Sequence, residues 1–421
     1  MHAVRADLEI VELTPGGEGV GHVAIGGERR AVFVPGVARG EHVRVEIDPR
    51  SRPARGVLLQ VLAPSSERAA PACAFVDRCG GCDWMHLTID AQRAEHASIV
   101  EKLLGVAVGS HPAPRTIGYR TRARVHVEAT KRGAIVAGMY ARKSHEPAAV
   151  ATCIVLDPAL DRARLALAEL LAGARGRGEA SLALGAERRP VIELRWRGEL
   201  AAATFGRLER AVANGEIAGA SVYAGEVKVP AKIGDPTPIV TGADGAPLRL
   251  APGGFAQAND EANAELARRV AELAGDAAPA VELYAGAGNL TVMLAPGREL
   301  VAVESNEDAC AAARDNLAAR GLSAKVKVVA GDAAAFVLPK ATRLLVLDPP
   351  REGARDVCAA IAAGKTKLSR IVYVSCDPPT LARDVKLLVA AGWSLVTAET
   401  FEMFPHTSHV ETVALLERRS A

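Results

Sequence analysis

A chain of 421 residues, 49% hydrophobic and 24% charged, has enough apolar material for about two to four packed domains, which excludes a disordered chain. A net charge of +2 does not by itself announce nucleic acid, so the local charge pattern has to be read instead. The start Met1-His-Ala-Val-Arg-Ala-Asp-Leu-Glu lacks the apolar core of a signal peptide, no apolar run is long enough to span a bilayer, and seven cysteines are an odd count for a disulfide framework, so the sequence predicts a soluble cytoplasmic protein with metal-binding or catalytic thiols.

In chain order, residues 1–63 hold short strand-like runs with Gly-rich turns: Leu8-Glu-Ile-Val-Glu-Leu, Ala31-Val-Phe-Val, His42-Val-Arg-Val-Glu-Ile and Gly56-Val-Leu-Leu-Gln-Val-Leu. That spacing predicts a small all-β barrel. A linker follows at Ala63-Pro-Ser-Ser-Glu-Arg-Ala-Ala-Pro, then a cysteine-rich stretch and a helix over Asp90–Leu104. Residues 64–250 are expected to form a central α+β domain. Its strands include Tyr119–Glu128 and Val191–Trp196, and a helix spans Pro158–Gly173. The helix near 90–104 is a candidate to pack with the next domain.

Residues 251–421 alternate strands and helices. Strands are expected at Ala280–Tyr284, Leu300–Glu304, Lys325–Val329, Arg343–Asp348 and Arg370–Ser375, with helices at Asn289–Leu294, Asn306–Arg320, Asp356–Ala363 and Pro379–Ala391 between them. Two last strands fall at Ser394–Phe401 and Thr412–Leu416. This order predicts a Rossmann-like α/β domain with a mostly parallel sheet, binding ligands beyond the carboxyl ends of its strands.

Glu282-Leu-Tyr-Ala-Gly-Ala-Gly-Asn-Leu-Thr follows a strand and opens a helix. Gly286 and Gly288 permit a tight turn and a close ligand. Glu304 closes the next strand about 20 residues on, where such folds hold a ribose hydroxyl pair. Asp332, after the third strand, could receive an adenine amine. The full dinucleotide fingerprint is absent, because Thr291 takes the third glycine position. S-adenosylmethionine needs no pyrophosphate cradle and suits the shorter loop.

Asp348-Pro-Pro-Arg ends another strand. Amino-methylating enzymes place an aromatic residue where Arg351 stands, which argues against exocyclic-nitrogen chemistry. Carbon methylation of a pyrimidine has other needs. C5 of uracil is a poor nucleophile until a thiolate adds to C6, and a base must later remove the C5 proton. Cys376, in Tyr373-Val-Ser-Cys-Asp-Pro-Pro-Thr, suits the first role, and Glu411, in Phe404-Pro-His-Thr-Ser-His-Val-Glu, the second. The bland alternatives are a buried thiol and a surface carboxylate.

Cys73, Cys79 and Cys82 form Cys-x5-Cys-x2-Cys, with Cys153 far downstream. Their spacing suits zinc or an iron–sulfur cluster equally. Cys310 and Cys358 fall inside helices and read as core. Between His111 and His145, Lys or Arg occupies positions 115, 120, 122, 124, 131, 132, 142 and 143, against the single acid Glu128. Arg120, Arg122 and Arg124 alternate at period two and would share a strand face. With Lys131 and Arg132 they form a candidate phosphate-binding row, or else an ordinary solvated face.

These motifs resemble the RNA (uracil-5-)-methyltransferase family over nearly the whole chain. The resemblance rests on Phe255-Ala-Gln-Ala-Asn, the Glu282–Asn289 loop, Asp348-Pro-Pro-Arg, Ser375-Cys-Asp-Pro-x-Thr-Leu-Ala-Arg-Asp and Phe404-Pro-His-Thr-x-His-Val-Glu. It implies cofactor contacts from Gln257, Tyr284, Asn289, Glu304, Asp332 and Asp348, with Cys376 as nucleophile and Glu411 as base. It implies a [4Fe-4S] cluster on the four cysteines and a TRAM-type, oligonucleotide-barrel-like RNA-binding module at the N-terminus. Those two features favour large-subunit ribosomal RNA over transfer RNA, the runner-up. Glu282 stands where the family more often has Asp, and Asp332 where some relatives carry Asn. A non-catalytic RNA-binding assembly factor is the rival from another class. Nothing in the sequence points to an obligate protein partner.

Overall fold

The computed structural model describes residues 3–418 apart from 26, 49, 143 and 365, so Lys143 of the basic run lies outside the described residues. Near the N-terminus, Val4–Glu9 and Glu12–Leu13 are two halves of one extended run. The first half pairs antiparallel with His42–Ile47 and the second with Glu18–Ile25. His42–Ile47 continues to Ala54–Ala63, which meets Glu28–Pro35, which returns to Glu18–Ile25. The run from Val4 to Leu13 therefore supplies both end strands of this six-stranded sheet. Its interior is filled by alternating apolar residues such as Leu8, Val32, Val34, Val43, Val45 and Ile47, and Trp84, Leu87 and Ile99 join that cluster from beyond the last strand. The indole of Trp84 donates to the Gly17 carbonyl at 3.1 Å. Gly17 has φ +81°, and a Cβ there would sit 2.4 Å from an Asp83 carboxylate oxygen and 2.9 Å from Ser408, so this turn has to be bare.

A second six-stranded sheet runs in the order Ala231–Gly234, Gly219–Ala224, Pro190–Glu199, Arg175–Leu184, Arg122–Ala129, Ile135–Gly138. The helices Pro158–Leu170 and Ala203–Ala213 bury Leu160, Leu167 and Leu208 in its core. Asp157 caps the first helix by accepting from the Ala159 amide at 2.9 Å.

The third sheet has eight strands: Val326–Ala330, Leu300–Glu304, Ala280–Leu283, Leu344–Leu347, Arg370–Ser375, Glu411–Arg418, Trp393–Phe401, Val108–His111. The first five are parallel, and Glu411–Arg418 runs antiparallel between Arg370–Ser375 and Trp393–Phe401. The edge strand Val108–His111 comes from 300 residues upstream and pairs in parallel with Trp393–Phe401. Helix Ile89–Leu104, capped by Thr88 and ended by Gly105 at φ 70°, leads into that strand and packs against Pro378–Ala390. Two elements differ from expectation. The helix expected over Asn289–Leu294 is one turn, Thr291–Leu294, because the positive-φ glycines before it keep the chain in a loop. A full helix, Asp260–Ala274, precedes the sheet; Asn259 caps it, and Ala262, Leu266, Val270 and Leu273 face the core at helical spacing.

Candidate active site

Ala280–Leu283 lies between Leu300–Glu304 and Leu344–Leu347, at the switch point where the strand order reverses. The chain leaves it through Tyr284 at φ 66°, Gly286 at φ 54° and Gly288 at φ 92°. A Cβ at Gly286 would touch nothing within 4 Å, so that position is constrained by backbone conformation rather than by space. Its amide donates to Glu304 Oε2 at 2.9 Å, while the Asn306 amide donates to Glu304 Oε1 at 2.8 Å. One carboxylate thus ties the glycine loop to the next strand end. Asn289 and Asn263 exchange two amide hydrogen bonds of 2.9 Å, fixing the far side of the loop.

Beyond these strand ends opens a cleft of about 1530 Å³. Gln257, Tyr284, Gly286, Asn289, Glu304, Asp348, Cys376 and Glu411 all line it. Gly288 and Asp332 do not: a Cβ on Gly288 would lie 3.6 Å from Ala313, against helix Glu307–Ala318, and Asp332 is exposed and accepts from the Ala334 amide. The Tyr284 phenol is raised by burial and then by the Asp332 charge, so the two are neighbours at the rim.

Cys376 directly follows Arg370–Ser375, and Glu411 opens the antiparallel neighbour; Ser375 pairs with Thr412, so the next step of the ladder sets Cys376 across from Glu411. Two residues far apart in the chain are thereby fixed by one hydrogen-bond register. Glu411 is 2% exposed and its Oε2 has no hydrogen-bond partner. Burial, then the Asp348 charge, pushes its carboxyl well above the ordinary range. Burial likewise pushes Asp348 up to about 7. The Cys376 thiol is pushed up to about 12, by burial first and then by Glu411 and Asp348. Arg351 opposes the shift at both Cys376 and Glu411. Burial thus favours the protonated forms of Cys376, Glu411 and Asp348, and a positive ligand would favour the thiolate and the carboxylates.

The loop before Glu411 is fastened from outside the last domain. Trp84 N donates to the His406 carbonyl at 3.0 Å, and the Ser408 amide to Asp83 Oδ1 at 3.0 Å. The Tyr119 hydroxyl donates to the Pro405 carbonyl at 3.1 Å, and the His406 amide to Gln92 Oε1 at 2.7 Å. His406 adopts φ 71°, a conformation a non-glycine residue holds only when such contacts enforce it.

Cys73, Cys79, Cys82 and Cys153 line one apolar cavity of about 30 Å³ with Val76, Met85 and Ile154. The Phe75 and Gly81 amides donate to the sulfurs of Cys73 and Cys79 at 3.4 Å. Cys82 is pushed up to about 12 by burial and by its fellow cysteines. Among the described residues, no three metal-ligating side chains are gathered closely enough for a metal ion. Cys310 and Cys358 are fully buried.

The basic row is divided. Arg120 lines the cleft, its guanidinium 5.8 Å from the Phe404 ring centroid. Arg122 turns inward, donates to the Gly254 carbonyl at 2.5 Å and is lowered to about 10 by burial. Arg124 is exposed, 4.0 Å from Glu179, and Lys131 and Arg132 sit on the exposed turn after Arg122–Ala129. The cleft also holds residues that sequence reasoning passed over: His409 beside the Cys376–Glu411 pair, and His126, Tyr140, His145, Arg195 and Tyr223 on the opposite wall. The alternation His126, Arg124, Arg122 on one strand face was the available signal for the first of these.

The family model described as tRNA (Uracil-5-)-methyltransferase matches residues 339–419. The 23S rRNA (uracil(1939)-C(5))-methyltransferase RlmD of Chromohalobacter salexigens is 33% identical, over 99% of this chain and 90% of its own. That of Ralstonia nicotianae is 34% identical over 99% of both chains. The solved tRNA (uracil-54, C5)-methyltransferase of Pyrococcus abyssi, in complex with S-adenosyl-L-homocysteine, shares the fold with a TM-score of 0.76 at 24% identity, covering 98% of this chain and 100% of that one. Similarity of this extent makes the chain a member of the RNA (uracil-5-)-methyltransferase family, in its ribosomal-RNA branch.

Proposed function

We propose that this protein methylates C5 of a uridine in large-subunit ribosomal RNA, in the cytoplasm, with S-adenosylmethionine as donor. The carrying observation is the thiol and carboxylate set across one strand ladder, at the rim of a cleft whose far end is a glycine loop tied to Glu304. The donor supplies an electrophilic methyl group. Gln257, Tyr284, Gly286, Asn289, Glu304 and Asp348 are the residues proposed to surround it, with Gly288 shaping the loop and Asp332 near the adenine end. A carboxylate-rich wall suits its positive sulfonium and ammonium groups.

The Cys376 sulfur, having released its proton to solvent, adds to C6 of the uracil. C5 of the resulting enolate takes the methyl group as the methyl–sulfonium bond of the donor breaks, and the donor leaves as the neutral thioether S-adenosylhomocysteine. Glu411, as carboxylate, then removes the C5 proton, the C5–C6 double bond re-forms and the thiolate leaves. A uridine held in a helix has to swing out of its stack to reach Cys376. Mapping 5-methyluridine by mass spectrometry in ribosomal and transfer RNA, from a deletion strain and its parent, tests the assignment. Loss from 23S RNA alone is expected. Loss from transfer RNA alone would favour the second substrate, in keeping with the match of residues 339–419 to the tRNA (Uracil-5-)-methyltransferase family model.

We infer a metal group at the cysteine site from the four thiols that share one apolar cavity and from the amide hydrogen bonds that two of the sulfurs accept; the thiols stand too far apart to hold a metal ion as they are, so the group would draw them together. Cys73, Cys79, Cys82 and Cys153 would hold a [4Fe-4S] cluster. Anaerobic purification should yield iron and sulfide; zinc with neither would transfer the site to zinc. We read residues 1–63 as a TRAM-like RNA-binding module, 64–250 as the central domain and 251–421 as the catalytic domain. Arg120, Arg124, Lys131 and Arg132 are the proposed phosphate contacts, with Arg120 the best placed, while the inward-turned Arg122 of the same row supports the wall from behind.

A further inference from the structure

The cleft is larger than the roughly 300–1,000 Å³ of an ordinary small-molecule pocket, so it has room beyond a methyl donor. Its charge is also divided. Among the described lining residues, the wall from the central sheet carries Arg120, Arg142 and Arg195 and no carboxylate, whereas Glu304, Asp308, Asp348 and Glu411 all lie on the catalytic wall, together with Arg351. On the basic wall the Tyr140 ring lies over His126 with centroids 3.4 Å apart and planes 9° apart, and His145 meets Tyr140 edge-on at 5.6 Å. Tyr140 is nevertheless 38% exposed. One ring face is covered by an imidazole, a second imidazole stands at right angles to the ring, and the exposed part of Tyr140 belongs to the cleft lining. An aromatic ring braced in this way and left uncovered beside guanidinium groups is the arrangement with which proteins stack unpaired bases and hold the adjoining phosphates.

We propose that Tyr140, backed by His126 and edged by His145, stacks an unpaired base of the RNA strand next to the target uridine, with Arg120 and Arg142 on its phosphates. This rests on reading the protein as an RNA methyltransferase. Arg195 belongs to the same wall but is engaged by Glu193 at 2.9 Å and lies 4.1 Å over Tyr223, so it serves more as a support than as a free cation.

The test compares wild type, Tyr140→Leu and Tyr140→Phe on a short 23S-derived RNA carrying 2-aminopurine, in turn, at the positions flanking the target. Wild type and Tyr140→Phe should quench one of these probes. Tyr140→Leu should leave it bright and raise the KM for RNA about 10- to 100-fold, while kcat and the affinity for S-adenosylmethionine change little. Thermal unfolding of all three variants checks that the fold is kept. Wild-type KM in Tyr140→Leu, or equal impairment of Tyr140→Phe, would overturn the stacking role. Wild-type protein that quenches the probe but never methylates RNA would instead sink the proposed function and leave the platform standing.

Discussion

The two walls of the cleft are built in opposite ways. The catalytic wall is made of strand ends, and its functional groups are positioned by main-chain register: Cys376 stands opposite Glu411 because Ser375 pairs with Thr412. Two of its carboxyls, Glu411 and Asp348, are buried and hold their protons above the usual range, whereas Glu304 and Asp308 stand nearer solvent. The opposite wall comes from a sheet surface and a connecting loop, its rings exposed and its charges positive. Proton transfer demands a dry, rigid setting, whereas a polyanionic strand that must enter and leave demands an open one.

That contrast can be broken most severely at the thiol. Cys376→Ala removes the only proposed route to a nucleophilic C5, and methylation should fall below detection in a tritium-transfer assay while S-adenosylmethionine still binds. Turnover at the wild-type rate would end the covalent mechanism. Glu411→Gln keeps the size of the side chain but cannot take a proton, so turnover should fall about 100- to 10,000-fold. The adduct should then persist as a slow-migrating protein–RNA band on a denaturing gel; turnover impaired without such a band would place Glu411 before methyl transfer.

The pH profile sharpens the same point. Glu411 must be ionised to act, and burial raises its pKa, so the acid limb of kcat should lie well above pH 4.5. The Cys376 thiol, pushed up to about 12, also favours higher pH, so single-turnover rates should climb from pH 6 to pH 9. A flat profile over that range would mean that neither group titrates in the rate-limiting step.

A smaller effect is expected where the loop before Glu411 is held. Asp83→Ala takes away the acceptor of the Ser408 amide, a charge-assisted bond worth about 1.5–3 kcal/mol. The expected result is a kcat lowered about tenfold, with KM for RNA little changed and Asp83→Asn partly restoring the rate. An RNA-binding defect with normal kcat would show that this anchor serves the substrate instead.

The catalytic wall was the more legible of the two. Its strands alternate with helices, and each reactive residue falls in or just beyond a strand, which marks the site before any coordinates exist. Asp332 shows the limit of that logic: it too follows a strand end, yet it is exposed, accepts from the Ala334 amide and is not among the residues lining the cleft. The opposite wall was less legible because periodicity reports a face but not its environment. Arg122 shares a face with Arg120 and Arg124, but the 253–255 turn packs on it and buries it. The pairing of Val108–His111 with Trp393–Phe401 bridges almost 300 residues, and no local pattern encodes such a contact. Tyr140 meets His126 only because the two adjacent strands fold back at Lys131–Gly133, so neither residue alone announced a platform.

The smallest expected effect is on stability and concerns Glu282, which stands on strand Ala280–Leu283 of the catalytic sheet and is 2% exposed, its Oε2 without a hydrogen-bond partner. Burial pushes its carboxyl up to about 8, reinforced by Asp348 and Glu304. An acid whose folded pKa lies above its unfolded value binds its proton more tightly in the native state. Its contribution is therefore neutral below about pH 4.5 and grows increasingly unfavourable as pH rises toward 8, where the folded protein at last ionises as well. Glu282→Gln keeps the shape and removes this term, so the variant should match wild type near pH 5 and unfold at a higher temperature than wild type at pH 8. A pH-independent offset between the two melting curves would mean that Glu282 matters through packing, and that the carboxylate-rich wall is confined to the cleft itself.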